Sequence, residues 1–409
     1  NADVRMRGFV EKVSVEAARN WLQGELERLG PVASEEAPLD EAAARVLAVD
    51  VVSEVNVPEF DRAMMDGFAV RASDTEGASP TSPVPLEVLG DAFPGRAFQG
   101  EVSAGKCVRT TTGAPLPPGA DAVLPVEQTR TEPEHMLAQQ PIAAGKNVGD
   151  IGEDIRAGEV VLRAGRVLRP QDVGVLSSIG VGRVTVLRRP RVRIVVTGDE
   201  LLPAGAKPQA DCIVDANGPM LAALVRRDGG VPIFPGIVPD DCEAILAALN
   251  DDAEVILVSG GTSVGQEDHV PNLLAEHGEL AIHGVAMRPA SPIGMGRLEG
   301  RLVFLLPGNP VACLCGYDVF AGVAIRAHGG RATTWPYRTV RATLSTKLKS
   351  PVGRFDYIRV LLKQGQVEPV PKSGASVLSS TTRADGFVVI PADCEGYEAG
   401  AEVELFLYD

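Results

Sequence analysis

The run Val255-Ile256-Leu257-Val258-Ser259-Gly260-Gly261-Thr262-Ser263-Val264-Gly265-Gln266-Glu267-Asp268 decides how this chain is read. Four apolar residues, three of them β-branched, make a short buried strand. A loop rich in Gly, hydroxyls and acid follows, and helical spacing starts at about 267 and runs to 277. The same cadence repeats on both sides. Val192–Thr197, Val231–Val238 and Leu302–Leu306 are β-rich, and residues 218–228, 241–250 and 310–327 have helical spacing. Strands alternating with helices predict parallel pairing and a doubly wound α/β domain over residues 188–330. Ligands of such sheets bind beyond the carboxyl ends of the strands. The loops to read are therefore Thr197-Gly198-Asp199-Glu200, Ser259–Asp268 and Leu306-Pro307-Gly308-Asn309-Pro310.

Glycines let backbone N–H groups close on an anion, so Gly260, Gly261 and Gly308 are candidate substrate-binding positions, with the Ser263 hydroxyl beside them. Asn309 is placed to cap a helix whose first residue is Pro310. The same loops carry Asp199, Glu200, Glu267 and Asp268, and Asp240-Asp241 follow another strand. Carboxylates facing a phosphate repel it unless a cation stands between, and Mg²⁺ bound by one or two carboxylates plus substrate oxygens suits that place. Two motif matches are discounted. Gly261-Thr262-Ser263-Val264-Gly265 fits a nucleophile elbow, with His328 available later, but Glu267-Asp268 crowd the supposed nucleophile with negative charge. Gly100–Cys107 has the P-loop spacing, yet Cys stands where the hydroxyl should be and no helical pattern follows.

Ser14 and Gly30 bracket a helix whose face is Val15, Ala18, Trp21, Leu22, Leu26 and Leu29. Residues 1–47, with 146–187 returning to them, read as a helical, elongated N-terminal domain. Residues 48–145 are broken by Pro and Gly into short apolar runs and read as a β-rich domain, and 331–409 as a small C-terminal β domain. The 409 residues carry Lys+Arg 39 against Asp+Glu 54, a net charge of −15, which excludes a basic face for nucleic acid. Residues 331–409 hold 10 basic and 9 acidic side chains, so the acid excess lies before them. Six scattered cysteines without a CxxC pair predict neither a disulfide framework nor structural zinc. Cys313 and Cys315, among apolar neighbours, are expected to be buried packing. Leu302–Ala327 is apolar but broken by Pro307-Gly308-Asn309-Pro310 and marked by Asp318, so no membrane span is expected. With no signal peptide evident, a cytoplasmic location is expected.

Taken together, these residues resemble the molybdopterin molybdenumtransferases, the MoeA and gephyrin E-domain proteins, from about residue 7 to 409. The segments that carry the likeness are Pro58–Ala69 with its Met65-Asp66-Gly67-Phe68-Ala69, Thr112-Gly113-Ala114, Gly152-Glu153-Asp154-Ile155, Thr197–Leu201, Gly260–Asp268 and Leu306–Pro310. The resemblance implies a central domain of the molybdopterin-binding type, a small C-terminal β-barrel, and a homodimer of four-domain subunits with the active site shared between chains. It implies insertion of molybdenum from molybdate into adenylylated molybdopterin, with Mg²⁺ assisting and AMP released. Functional positions carried over are Asp66, Thr112, Asp154, Glu200, Asp241 and Asp268, with Glu200 and Asp268 as metal ligands; either Asp240 or Asp241 fits the fifth. One segment departs. Where the family usually reads Lys-Pro-Gly-Lys-Pro, this chain has Arg288-Pro289-Ala290-Ser291-Pro292, and no Lys occurs between 208 and 346. Arg288 keeps a cation and Ser291 offers a neutral hydrogen bond. Gly353–Arg359 and Ser379-Ser380 also resemble family segments, and Arg359 is a candidate for the lost charge. A scaffold paralogue with reduced catalysis and a tungstate-preferring homologue are the alternatives.

Overall fold

Residues 12–209, 211–250, 252–262, 269–371 and 373–408 are described by the computed structural model. Ser263 and Asp268 lie outside these residues. The chain forms two compact units: residues 1–37, 44–48 and 185–409, and residues 38–43 and 49–184.

The first unit opens with α1 (Val15–Leu29), which Ser14 caps by accepting from the Ala17 N–H and Gly30 ends by donating to the Leu26 carbonyl. Its buried stripe of Val15, Ala18, Leu22 and Leu26 joins the same core as the central sheet. The sequence grouped this helix with residues 146–187. Its apolar stripe packs on the core of this unit, and residues 146–184 fall in the other unit.

The central sheet follows: β1 (Arg191–Thr197), α2 (Asn217–Arg227), β2 (Val231–Ile233), β3 (Ile237–Val238), α3 (Cys242–Leu249), β4 (Val255–Ser259), α4 (Val270–His277) and β5 (Glu279–His283). After them come β6 (Met287–Arg288), β7 (Gly294–Leu298), β8 (Arg301–Leu306), α5 (Pro310–Gly316) and α6 (Gly322–His328). The order is β2-β1-β4-β8-β7-β5, with β3 also paired to β1. β2, β1, β4 and β8 run parallel, as the alternation requires, while β7 and β5 add an antiparallel edge. The fold is thus a mixed sheet, where the sequence indicated a parallel one. The reason is that β5, β7 and β8 follow one another without intervening helices, so they pair as neighbours. Between α5 and α6 the helix widens into a π turn over Tyr317–Ala321. Asp318 is fully buried there and accepts from Arg227 Nη2 at 3.0 Å, Tyr337 Oη at 2.8 Å and Tyr357 Oη at 3.3 Å. Burial pushes its carboxyl up, against the pull of the Arg227 cation.

The chain then builds a small closed barrel from β9 (Thr339–Leu344), β10 (Leu348–Lys349), β11 (Phe355–Lys363), β12 (Gln366–Pro369), α7 (Ser379–Arg383), β13 (Gly386–Ile390), β14 (Gly396–Tyr397) and β15 (Glu402–Leu407). The ring runs β11-β12-β9-β15-β13 and closes by β13 pairing with β11; β10 and β14 pair beside it. Alternating residues such as Leu344, Val360, Val367, Val388 and Leu405 fill it. One connection matters for function: β6, from the α/β domain, pairs parallel with the first residues of β11, Met287 opposite Phe355 and Arg288 opposite Asp356.

The second unit is built on a six-stranded sheet over Gly67–Val70, Val84–Ala92, Lys106–Thr110, Ala122–Pro125, Thr129–Thr131 and His135–Ala138. Phe68, Leu86, Cys107, Leu124 and Met136 form its core.

Candidate functional site

Three loops leave the carboxyl ends of β1, β4 and β8. Gly260 has φ +99°, and a Cβ there would lie 2.0 Å from the Thr197 carbonyl oxygen, so only glycine lets the β4 loop pass the end of β1. Asn217, buried at the start of α2, ties two loops together: its Nδ2 donates to Ser259 Oγ at 2.8 Å and to the Gly308 carbonyl at 2.7 Å. Asp215 Oδ1 accepts from the Asn217 and Gly218 N–H groups, which holds that side chain in place. Thr262 adds a bond from its hydroxyl to the Leu306 carbonyl, at 2.9 Å. Gly260, Gly261 and Gly308 are therefore brought to one sheet edge.

The paired aspartates separate by role. Asp241 is the N-cap of α3, accepting from the Glu243 and Ala244 N–H groups at 3.0 Å each. Asp240 accepts from the Thr197 hydroxyl, and its Oδ1 is 3.5 Å from where a Cβ on Gly261 would stand. The carboxylate at the sheet edge is thus Asp240. Glu200 is exposed, with a carboxylate oxygen 2.7 Å from where a Cβ on Gly198 would stand. These donors are all oxygen, the chemistry a hard cation selects. No three metal-ligating side chains cluster among the described residues.

Beside this edge lies a cavity of about 710 Å³, walled on one side by the Arg288–Pro292 segment and Asn309 and on the other by the barrel. Asn309 precedes α5 as expected, but its side chain makes no capping bond; it lines the cavity instead. Arg359, on β11, is 3% exposed. Its Nη2 donates to the Ser373 and Gly374 carbonyls, whereas Nε and Nη1 are buried without a partner among the described residues. A buried guanidinium with two unused nitrogens is costly unless something accepts from it. Arg288 is differently placed. Its Nη2 pairs at 2.9 Å with fully buried Asp356, whose two oxygens also receive Arg354 Nε and Nη2 at 2.7 and 3.0 Å. Ser291 lines the cavity, and Ser379 is not among its walls, since it starts the exposed helix α7.

In the second unit, Asp66 Oδ1 accepts from the Thr112 N–H at 2.7 Å and the Thr112 hydroxyl at 2.9 Å. The backbone bond first, and the hydroxyl second, hold this exposed carboxyl below the usual carboxylate range. Gly67 follows because a Cβ there would lie 2.0 Å from the Leu124 carbonyl oxygen, and Gly113 turns the chain at φ +86°. Asp154 is exposed in a turn held to the same segment: Val148-Gly149 pairs with Arg62-Ala63, and Asp61 accepts from the Ile151 N–H.

The chain matches, in order, the MoeA N-terminal region (domain I and II) over residues 13–180, a probable molybdopterin binding domain over 193–327, and the MoeA C-terminal region (domain IV) over 341–408. The chain belongs to the MoeA family. It is 36% identical over 382 residues to molybdopterin molybdenumtransferase 2 of Mycobacterium tuberculosis strain H37Rv, covering 90% of this chain and 94% of that one. With molybdopterin molybdenumtransferase of Staphylococcus aureus strain COL the identity is 31% over 379 residues, covering 90% of each. The crystal structure of the molybdopterin biosynthesis moeA protein from Pyrococcus horikoshii OT3 superposes with a TM-score of 0.81 at 33% identity, covering 97% of this chain and 100% of that one.

Within this MoeA-family chain, the residues that sequence reading passed over are those that hold the site rather than face it. Asn217 and Asp215 carried the visible signal of a helix-start Asp-x-Asn, whereas Thr262 and Asp356 carried none. The apolar helical run Pro310–His328 is 83% buried and belongs to the core. Cys313 is buried in it, and burial pushes its thiol up to about 12, so it is packing rather than a nucleophile.

Proposed function

We propose that this chain is a molybdopterin molybdenumtransferase, the activity named for its full-length relatives, taking molybdenum from molybdate into adenylylated molybdopterin with release of AMP. The observation that carries the reading is Arg359: a buried guanidinium whose Nε and Nη1 have no partner among the described residues, lining a cavity beside the sheet edge, which suits a small oxyanion. Arg359 and the Ser291 hydroxyl would receive the oxyanion; the Gly260, Gly261 and Gly308 backbone would follow the diphosphate. Glu200 and Asp268 would hold Mg²⁺. The ion would supply positive charge between the carboxylates and the diphosphate, easing departure of AMP. Asp240, accepting from the Thr197 hydroxyl, ties the loop after β3 to the end of β1. Six cysteines with no bond between them support a reducing, cytoplasmic setting.

The test is AMP release from adenylylated molybdopterin with molybdate and tungstate supplied in turn. Release that depends on neither oxyanion would refute the reading.

We further propose a homodimer in which Asp66, Thr112 and Asp154 of one chain complete the site of its partner. Their exposed arrangement supports this: Asp66 and Thr112 are bonded to each other at the surface, where a partner chain can meet them. Mixed Asp66→Asn and Asp268→Asn chains are then expected to regain up to half of wild-type turnover per heterodimer once exchange is verified by native mass spectrometry. Heterodimers as inactive as their parents would show that each site is built within one chain.

A further inference from the structure

In a chain with 54 acidic side chains, the 710 Å³ cavity is lined by four cations and, among the described residues, by no carboxylate. The four are Arg288, Lys347, Lys349 and Arg359. Their charges are unequally committed. Arg288 is paired with Asp356, and Lys347 with Glu398. Arg359 retains Nε and Nη1 without a partner among the described residues. The Lys349 ammonium is paired with no carboxylate among the described residues.

The position of Lys349 is fixed by its neighbours. On β10, Leu348 is 4% exposed within the barrel core and Ser350 is 6% exposed, so strand alternation turns Lys349 the other way. β10 is held to β14 at Gly396, where a Cβ would lie 1.9 Å from the Leu348 carbonyl oxygen. The lysine is thus carried by a clamped strand and lines the same cavity as Ser291.

We infer that Lys349 is the second cation of the oxyanion site, supplying from the barrel the positive charge that the Arg288–Pro292 segment lacks at Ser291. This rests on the function proposed above. A dianion then meets Arg359 from the buried wall and Lys349 from the exposed one, with Ser291 giving a neutral bond. The assignment predicts a dependence on ligand charge. Molybdate is a tetrahedral dianion and perrhenate a tetrahedral monoanion, so removing one of two cations weakens molybdate more.

The experiment is calorimetric titration of the full-length protein with molybdate and with perrhenate, alongside thermal melts. Exchanging a charge-assisted hydrogen bond for a neutral one corresponds to about tenfold in affinity. Lys349→Gln is therefore expected to weaken molybdate by about that factor and perrhenate by less. Lys363→Gln, on β11 but outside the cavity, serves as the control for lost net charge, with no change expected. Ser291→Lys in the Lys349→Gln background is expected to restore most of the molybdate affinity by returning the cation to the opposite wall. Unchanged molybdate affinity in Lys349→Gln, with Arg359→Gln still weakened, would overturn the role of Lys349 and leave the oxyanion cavity standing. Unchanged affinity in both would remove the cavity from the reaction altogether.

Discussion

Arg359→Gln is expected to raise the half-saturating molybdate concentration for AMP release on the order of a hundredfold, with a smaller change in the melting temperature. The size follows from what is removed. A charged hydrogen bond contributes roughly 1.5–3 kcal/mol, and Nε and Nη1 of Arg359, without a partner among the described residues, can make one. Gln keeps a donor for the Ser373 and Gly374 carbonyls that now accept from Nη2, so the barrel wall is retained. It also relieves a buried charge that has no carboxylate partner among the described residues, which favours the folded state of the variant. Loss of oxyanion response with folding retained or improved is the signature of a charge kept for binding. A strongly destabilised variant with normal half-saturation would mark Arg359 as structural.

The second large effect is expected from the carboxylates. Asp268→Asn and Glu200→Gln should each reduce AMP release by about 10²-fold or more while leaving molybdate binding intact, because they would act on the diphosphate through the metal and not on the oxyanion. Each exchange removes a formal charge and one strong Mg²⁺ ligand. Glu200 is exposed, so its exchange is expected to cost under about 1 kcal/mol of stability. Raising Mg²⁺ should recover part of the turnover, which a mere loss of packing does not allow. Normal AMP release in both variants would end their assignment as metal ligands.

How much of this was legible in the sequence depends on the kind of constraint. β1, β4 and β8 were readable because parallel strands buried on both faces are short apolar runs. Their loops were readable because close approach leaves glycine as the fitting residue, as Gly260 against Thr197 illustrates. The antiparallel edge was not, since Glu279–His283 and Gly294–Leu298 have mixed polarity and two glycines that read as turn. Asp241 and Asp240 could not be told apart, because a cap and a loop carboxylate look alike until backbone dihedrals assign one of them to the helix start. The Arg288 segment was judged by its neighbours in sequence, which hold no lysine. Its cationic neighbours in space, Lys347 and Lys349, arrive from a different domain more than fifty positions later. A local motif cannot register that kind of replacement.

The pairing of β6 with β11 bears on how this protein can be recombined. Met287-Arg288 belongs by chain order to the α/β domain but by hydrogen bonding to the edge of the barrel, with Arg288 closing on buried Asp356. A chimera that exchanges barrels at the linker near residue 331 would give Asp356 a foreign neighbour at 288 and would pair a borrowed strand with a native one. The heritable module is therefore discontinuous: the barrel together with the Ala286–Pro292 finger. Grafts that carry both pieces should fold and keep their donor's anion preference, whereas grafts of the barrel alone should inherit a mismatched wall.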